Sequence, residues 1–362
     1  MDLYIKQMTN MLIDDQELYD ECGKVFTYLK ELKINFISIE YHDLAWQYSQ
    51  IIEIVYSNKL ENIELDIFDV ILEFSNYVKS NKRIKDLIEI NFNGTILLSK
   101  YRNNDLEIKY SIINELYKNI KESNVYSEHF KSYSLETTAN ESQKIIFEKL
   151  INTSYSNNSL YFSGLFLFLF TKFNKNYPLL NISRSVLINL YLMKSKLLFA
   201  PTLCFSYPMY NYQKKFLDIL NKLEKNPCEI TEFSRVIFDF IKQAAIVNRA
   251  FVNRAILAFN SIEELIEKNK NLKFLKNKPI NKLFEITSFN YKDVIEKLNV
   301  KDKNQANTFI LELEKNNIII NISKEENKKI FMFKQFYVAI KKLDKNKKQA
   351  TSEIFILREN LS

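Results

Sequence analysis

A mainly helical protein with one short β-hairpin near its C-terminal end is the fold class that this sequence predicts. Three observations carry the prediction. Over 362 residues there are only 3 Gly and 5 Pro, so few residues interrupt helices. Apolar residues recur at three- and four-residue spacing through most of the chain. Residues 318–322 (IIINI) and 328–333 (KKIFMF) set two β-rich runs around the polar stretch SKEEN, which is the pattern of a hairpin.

The elements follow in order. Residues 43–56 and 66–78 carry helical spacing without Pro or Gly. Residues 88–98 are interrupted by the turn signal Asn93-Gly94, and 111–120 form a further amphipathic helix. Residues 121–140 turn polar and β-prone and admit a short hairpin, although no tight-turn dipeptide fixes one. Helices are expected over 141–151, 160–173 and 182–198, the last capped by Asn181 or Ser183. Helices over 216–223, 232–247 and 250–268 continue the series. Breaks are expected at Asn226-Pro227 and at 176–178. Beyond Pro279, a helix over 291–298, a second over 301–316 and the hairpin together read as a winged helix-turn-helix. The domain plan is an N-terminal helical region (1–110), a core (111–270), the winged helix (271–348) and a tail (349–362).

Composition narrows the function. Hydrophobic residues make up 46% and charged residues 26%, as in ordinary globular proteins. The longest apolar run, LYFSGLFLFLF from Leu160 to Phe170, falls short of the ~20 residues that span a bilayer, so it reads as a buried helix. The opening MDLYIKQMTNMLIDD has early acids and no apolar centre, so no signal peptide is expected. Cys22, Cys204 and Cys228 have no disulfide or metal spacing and read as free thiols of a cytoplasmic protein. His42 and His129 lack ligand neighbours, so no metal site is expected. The paired Asn-Arg of VNRAFVNRA puts Arg249 and Arg254 five apart, a structural spacing rather than an anion clamp. Charge is uneven: residues 268–348 hold 20 Lys, no Arg and 9 acids, a net of +11 within a chain total of +7. That asymmetry points to a polyanion or to a solvated lysine surface. Lys301, Lys303, Asn304, Gln305 and Asn307 are the candidate DNA contacts, with lysines for phosphates and amides for adenine edges.

One stretch resembles a known family. In FTKFNKNYPLLNISRSVLINLYLMKSKLLFAPTLCFS, the run Ile182-Ser183-Arg184, then Leu187-Ile188-Asn189-Leu190, Lys196-Leu197-Leu198, Pro201 and Phe205-Ser206 resembles the core of Fic-domain proteins. Residues 211–220 (NYQKKFLDIL) resemble the helix that follows it, and the likeness extends from about residue 45 to 340. The resemblance implies a Fic-type helical core ahead of the winged helix. The family's catalytic pattern is a helix ending in His-Pro-Phe, an acidic Gly-Asn-Gly-Arg loop, and a helix opening with a second arginine. Here Tyr177, Pro178 and Leu179 take the His-Pro-Phe places, Asn181 stands for a loop polar residue, and Arg184 for the second arginine. Six residues separate Tyr177 from Arg184, four fewer than the pattern.

Chemistry gives that departure its meaning. The family histidine acts as general base on a protein hydroxyl. Its glycine loop presents N–H groups to phosphates, and its arginines grip them. An ordinary tyrosine, with a pKa of about 10, is a poor base at neutral pH. A degenerate Fic protein without AMP transfer is therefore expected, with no cofactor; ATP and Mg would bind only if activity survived. Upstream, Ser57, Glu61 and Asn62 in YSNKLENIE match the family's inhibitory pattern, whose glutamate pairs with the second arginine, here Arg184. The implied partners are a protein (another Fic protein or an antitoxin), a second copy of the chain, and DNA through the winged helix. The alternatives are an enzyme with residual or altered nucleotidyl or phosphoryl transfer to a protein hydroxyl and a winged-helix DNA-binding regulator. No membrane association is expected.

Overall fold

The computed structural model describes residues 2–39, 42–75, 77, 85–86, 88–89, 107–115, 139–152, 160–174, 180–323 and 328–345. Helices dominate. In chain order they are α1 (Asp2–Ile13), α2 (Gln16–Ser38), α3 (His42–Leu60), α4 (Ile67–Phe74), α5 (Glu141–Asn152), α6 (Ser163–Phe173), α7 (Leu180–Lys194), α8 (Ser206–Asn211), α9 (Gln213–Lys225) and α10 (Ile230–Lys268). Next come α11 (Tyr291–Leu298), α12 (Lys303–Lys315), β1 (Ile319–Asn321), β2 (Phe331–Phe333) and α13 (Lys334–Lys345). The mainly helical class with a short hairpin is as expected. Among the described residues no helix is long and apolar enough to cross a membrane.

The chain forms two compact units. The first comprises Met1–Ser38 and Ser49–Arg249; the second comprises Ile39–Tyr48 and the chain from Ala250 onward. The division falls within α3 and within α10, and the lysine-rich segment from 271 lies wholly in the second unit.

In the first unit α6 is apolar on every side, and that is why it is buried along almost its whole length. It packs on α5 and α7. Phe166 stacks on Tyr191 of α7, with ring centroids 4.6 Å apart, and meets Phe147 of α5 at 5.0 Å. Gly164 permits the approach of α10: a Cβ there would lie 2.9 Å from the Ser234 Cα. The loop 201–205 is buried, so its backbone needs partners. Side chains supply them. Asn189 accepts from the Leu203 N–H at 3.0 Å and donates to the Leu203 carbonyl at 2.9 Å. Gln50 donates to the Pro201 carbonyl at 2.5 Å, and Asn248 donates to that of Thr202. Glu53, buried on α3, accepts from the Ser206 N–H at 2.9 Å and from the Ser206 hydroxyl.

In the second unit, β1 and β2 pair antiparallel with Ile319 opposite Phe333. Tyr48 stacks on Phe336 at 4.2 Å and donates to the Thr287 carbonyl at 2.6 Å. Asn290 caps α11 with a reciprocal bond from Asp293, and Asp302 caps α12.

Helix ends explain how so few glycines suffice. Asn62, Lys196, Asn299 and Asn317 adopt positive φ (60°, 59°, 49° and 56°) just past helix ends. After α3, the Ile63 N–H reaches the Asn58 carbonyl at 2.9 Å and the Asn62 N–H reaches that of Lys59 at 3.1 Å, the two bonds of a Schellman cap. Asparagine tolerates this backbone better than most side chains.

Several expectations are corrected. The helices expected over 232–247 and 250–268 are one helix of 39 residues, because Asn248 turns its side chain inward to the 202–204 backbone and leaves the helix unbroken. Helix α7 begins at Leu180, so Asn181 and Ser183 lie inside it and do not cap it. Helix α13 was not foreseen, since its apolar residues are spaced among lysines. Within the helix expected at 111–120 the structure describes 111–115 as helical. The helix at 88–98 is described only at 88 and 89, and the hairpin at 121–138 and the tail at 349–362 lie outside the described residues.

Candidate functional site

The expected inhibitory segment and the expected phosphate-gripping arginine meet in the first unit. Ser57 sits at the end of α3, fully buried, and its hydroxyl donates to the Ile54 carbonyl at 3.2 Å. The Schellman cap at Asn62 then turns the chain and leaves Glu61 at the N-terminal end of α7. The Glu61 Oε1 accepts from the Asn181 N–H at 2.7 Å. That N–H is one of the four that a helix leaves unpaired at its start, where the helix dipole also favours an anion.

Arg184 lies one turn into α7 and is only 5% exposed. Its Nη1 donates to the Asn181 side-chain oxygen at 2.5 Å and its Nε donates to the Thr171 hydroxyl on α6 at 3.0 Å. Its guanidinium carbon lies 5.2 Å from the centre of the Phe216 ring on α9, a cation–π contact. Asn181 stands between Glu61 and Arg184 and bonds to both. Asn181 gives its N–H to Glu61 and its carbonyl oxygen to Arg184, so one residue joins the carboxylate to the cation. Asn181 donates from its side-chain nitrogen to the Leu60 carbonyl as well, at 3.4 Å.

The electrostatics of Glu61 are mixed. Burial pushes its carboxyl above the usual range, while the Asn181 N–H and the Arg184 charge pull it back. Chemically, this is an anion seat at a helix start with an arginine behind it, and the protein's own carboxylate occupies it.

Of the other residues singled out from the sequence, Tyr177, Pro178 and Leu179 lie outside the described residues. His42 contacts the Ile39 carbonyl at 2.9 Å through Nδ1, and His129 lies outside the described residues. Among the described residues no group of three or more His, Cys, Asp or Glu is placed to hold a metal. Cys22 and Cys204 are buried and Cys228 is exposed, all as free thiols; burial pushes the Cys22 thiol up to about 12. Arg249 pairs with Glu31 at 2.5 Å. In the second unit Lys301, Lys303, Asn304 and Asn307 are exposed, whereas Gln305 accepts from the Lys301 N–H at 3.0 Å and so serves the start of α12.

Sequence reasoning missed Asn181 as the relay and missed Thr171 and Phe216 altogether. Thr171 stands thirteen residues from Arg184 and on another helix, so no local spacing marks it. Phe216 is one of 28 phenylalanines, with nothing in the sequence to separate it from the core. No protein-family model matches the chain, and a search of characterised proteins returns no match.

Proposed function

We propose that the chain is a non-catalytic Fic-type protein that acts by binding another protein, as a partner or modulator in a toxin–antitoxin pair. The observation that carries the reading is the Glu61 carboxylate on the Asn181 N–H, with Arg184 held on the Asn181 side-chain oxygen. In the resemblance, that position belongs to the phosphates of a nucleotide and is filled by an inhibitory glutamate. A second observation supports loss of chemistry. Helix α6 ends at Phe173. The pattern lacks four residues if it begins at Tyr177, and it is complete if it begins at Phe173, where the family's helix end is matched. A phenyl ring has no lone pair with which to take a proton, and Phe173 is 2% exposed.

The test is transfer of label. Wild type and Glu61→Gly are incubated with α-phosphate-labelled ATP, magnesium and bacterial lysate. Neither should label any protein, because freeing the seat restores no base. A labelled band that appears with Glu61→Gly and vanishes in Glu61→Gly/Arg184→Ala would overturn the non-catalytic reading in favour of a restrained enzyme.

A further inference from the structure

In the second unit, α12 turns an uncommitted polar face outward. Ala306, Phe309, Ile310 and Leu313 are buried, while Lys303, Asn304, Asn307 and Leu311 are exposed at spacings of three and four residues. Lys301, just before the helix, is exposed too. The first two turns carry no acid on this face, and Glu314 comes only in the last turn.

Nearby acids are already engaged. Asp302 caps α12 by accepting from the Gln305 N–H at 2.9 Å, and Asp293 accepts from the Asn290 N–H at 2.7 Å. Glu312 accepts from the Asn269 amide at 2.7 Å. Glu285 pairs with Lys297 at 2.5 Å and Glu296 with Lys292 at 3.5 Å. Among the described residues no carboxylate pairs with Lys301 or Lys303. Lys328 and Lys329, leading into β2, are exposed as well.

We propose that this face binds double-stranded DNA, with α12 as the helix that enters the major groove. Charge complementarity selects the occupant. A lysine pair with no ion-pair partner among the described residues stands at the helix start, in a segment of net +11, and suits a phosphate backbone. The two exposed asparagines suit adenine edges, and Leu311 suits a thymine methyl group. The preceding helix α11 packs on α12 and the hairpin follows it. This is the order of a helix-turn-helix with a wing, which reads DNA from the N-terminal part of its second helix. The proposal is independent of the Fic reading, which rests on the first unit.

The full-length protein is titrated against a fluorescent 30-base-pair duplex of mixed sequence, by anisotropy, from 50 to 200 mM KCl. Binding should be seen at 50 mM and weaken by roughly tenfold or more by 200 mM, with a linear log–log dependence. Lys301→Glu/Lys303→Glu should weaken binding by a further order of magnitude, about tenfold, and Lys301→Gln/Lys303→Gln by less, because each lysine lost is a counterion no longer released. Lys214→Glu, at an exposed position of α9, should change nothing. Thermal melts of each variant report that the fold is kept. No anisotropy change at 50 mM overturns the proposal. So does unaltered binding by both lysine pair variants, or tighter binding to single-stranded RNA than to the duplex.

Discussion

Helix α3 and its cap supply two carboxylates to the first unit, eight residues apart, and they do different things. Glu53 is enclosed, and both of its oxygens go to Ser206, one to the N–H and one to the hydroxyl. Its pKa is raised by burial, and only hydrogen bonds oppose that rise. Glu61 lies just past the helix end, half-buried, and its burial is opposed by a helix start and by the charge of Arg184. The first is a fastener for a buried loop. The second sits on an N–H at the start of α7, with the Arg184 cation behind it. A carboxylate that only holds structure needs neutral donors; one that fills an anion seat comes with a cation already in place.

The largest expected effect tests that cation. Arg184→Ala removes the charge behind Glu61 and takes a donor from the half-buried Asn181 side-chain oxygen and from the buried Thr171 hydroxyl, which keeps its bond to the Leu167 carbonyl. Loss of a charged donor to these oxygens costs about 1–3 kcal/mol, so urea denaturation should show a fall of that order. Glu61→Gln/Arg184→Ala should recover part of the loss. The two changes should couple by about 0.5–3 kcal/mol, as residues of one network do. Strict additivity would mean that Glu61 and Arg184 do not sense each other, and the comparison with Glu53 would collapse.

A smaller effect separates the two carboxylates by pH. A folded-state pKa raised above the unfolded value favours the native state at low pH, and this advantage is lost as pH rises through the folded pKa. Both glutamates are raised from 4.5, so both penalise the native state as they ionise. Glu53→Gln should therefore gain stability relative to wild type as pH climbs from about 4.5, and the gain should level off once Glu53 is ionised in the fold. Glu61→Gln should gain less over the same range, because Arg184 offsets the cost of its charge. Equilibrium unfolding from pH 4.5 to 8 measures both. A larger gain for Glu61→Gln would reverse the assignment of the two roles.

The sequence made one of these sites legible and hid the other. Ser57, Glu61 and Asn62 stand close together in a spacing that can be recognised, and Arg184 lies in a run with a family likeness, so their meeting could be anticipated. Their connection through Asn181 could not, because a backbone N–H leaves no mark in a sequence. Nothing local marks Glu53 among the polar residues of α3. Its partner Ser206 is 153 positions away, and only the packing of α3 against the 201–206 segment brings them together. The helices were legible for the opposite reason: their signal is local. Even there, the join at Asn248 was missed, because a side chain with distant partners kept α10 whole.

The smallest expected effect concerns Asn62, which two explanations claim. It fits the third place of the inhibitory pattern, and it is the left-handed residue of the α3 cap, with φ 60°. If the cap is its role, glycine should serve as well or better, since glycine has no Cβ to crowd that backbone. Asn62→Gly should leave stability unchanged or raise it by a few tenths of a kcal/mol, the greater freedom of glycine in the unfolded chain limiting the gain. Asn62→Ala should cost about 1 kcal/mol, near the lower end of the penalty for an ordinary residue in the left-handed region. The seat at Asn181 should remain filled in Asn62→Gly, because the turn that delivers Glu61 is kept. The measurement pairs thermal unfolding with the amide chemical shift of Asn181, which reports the Glu61 carboxylate. If Asn62→Gly keeps its melting temperature but shifts the Asn181 amide as Glu61→Gln does, the asparagine side chain is needed to position Glu61, and the cap alone does not account for it.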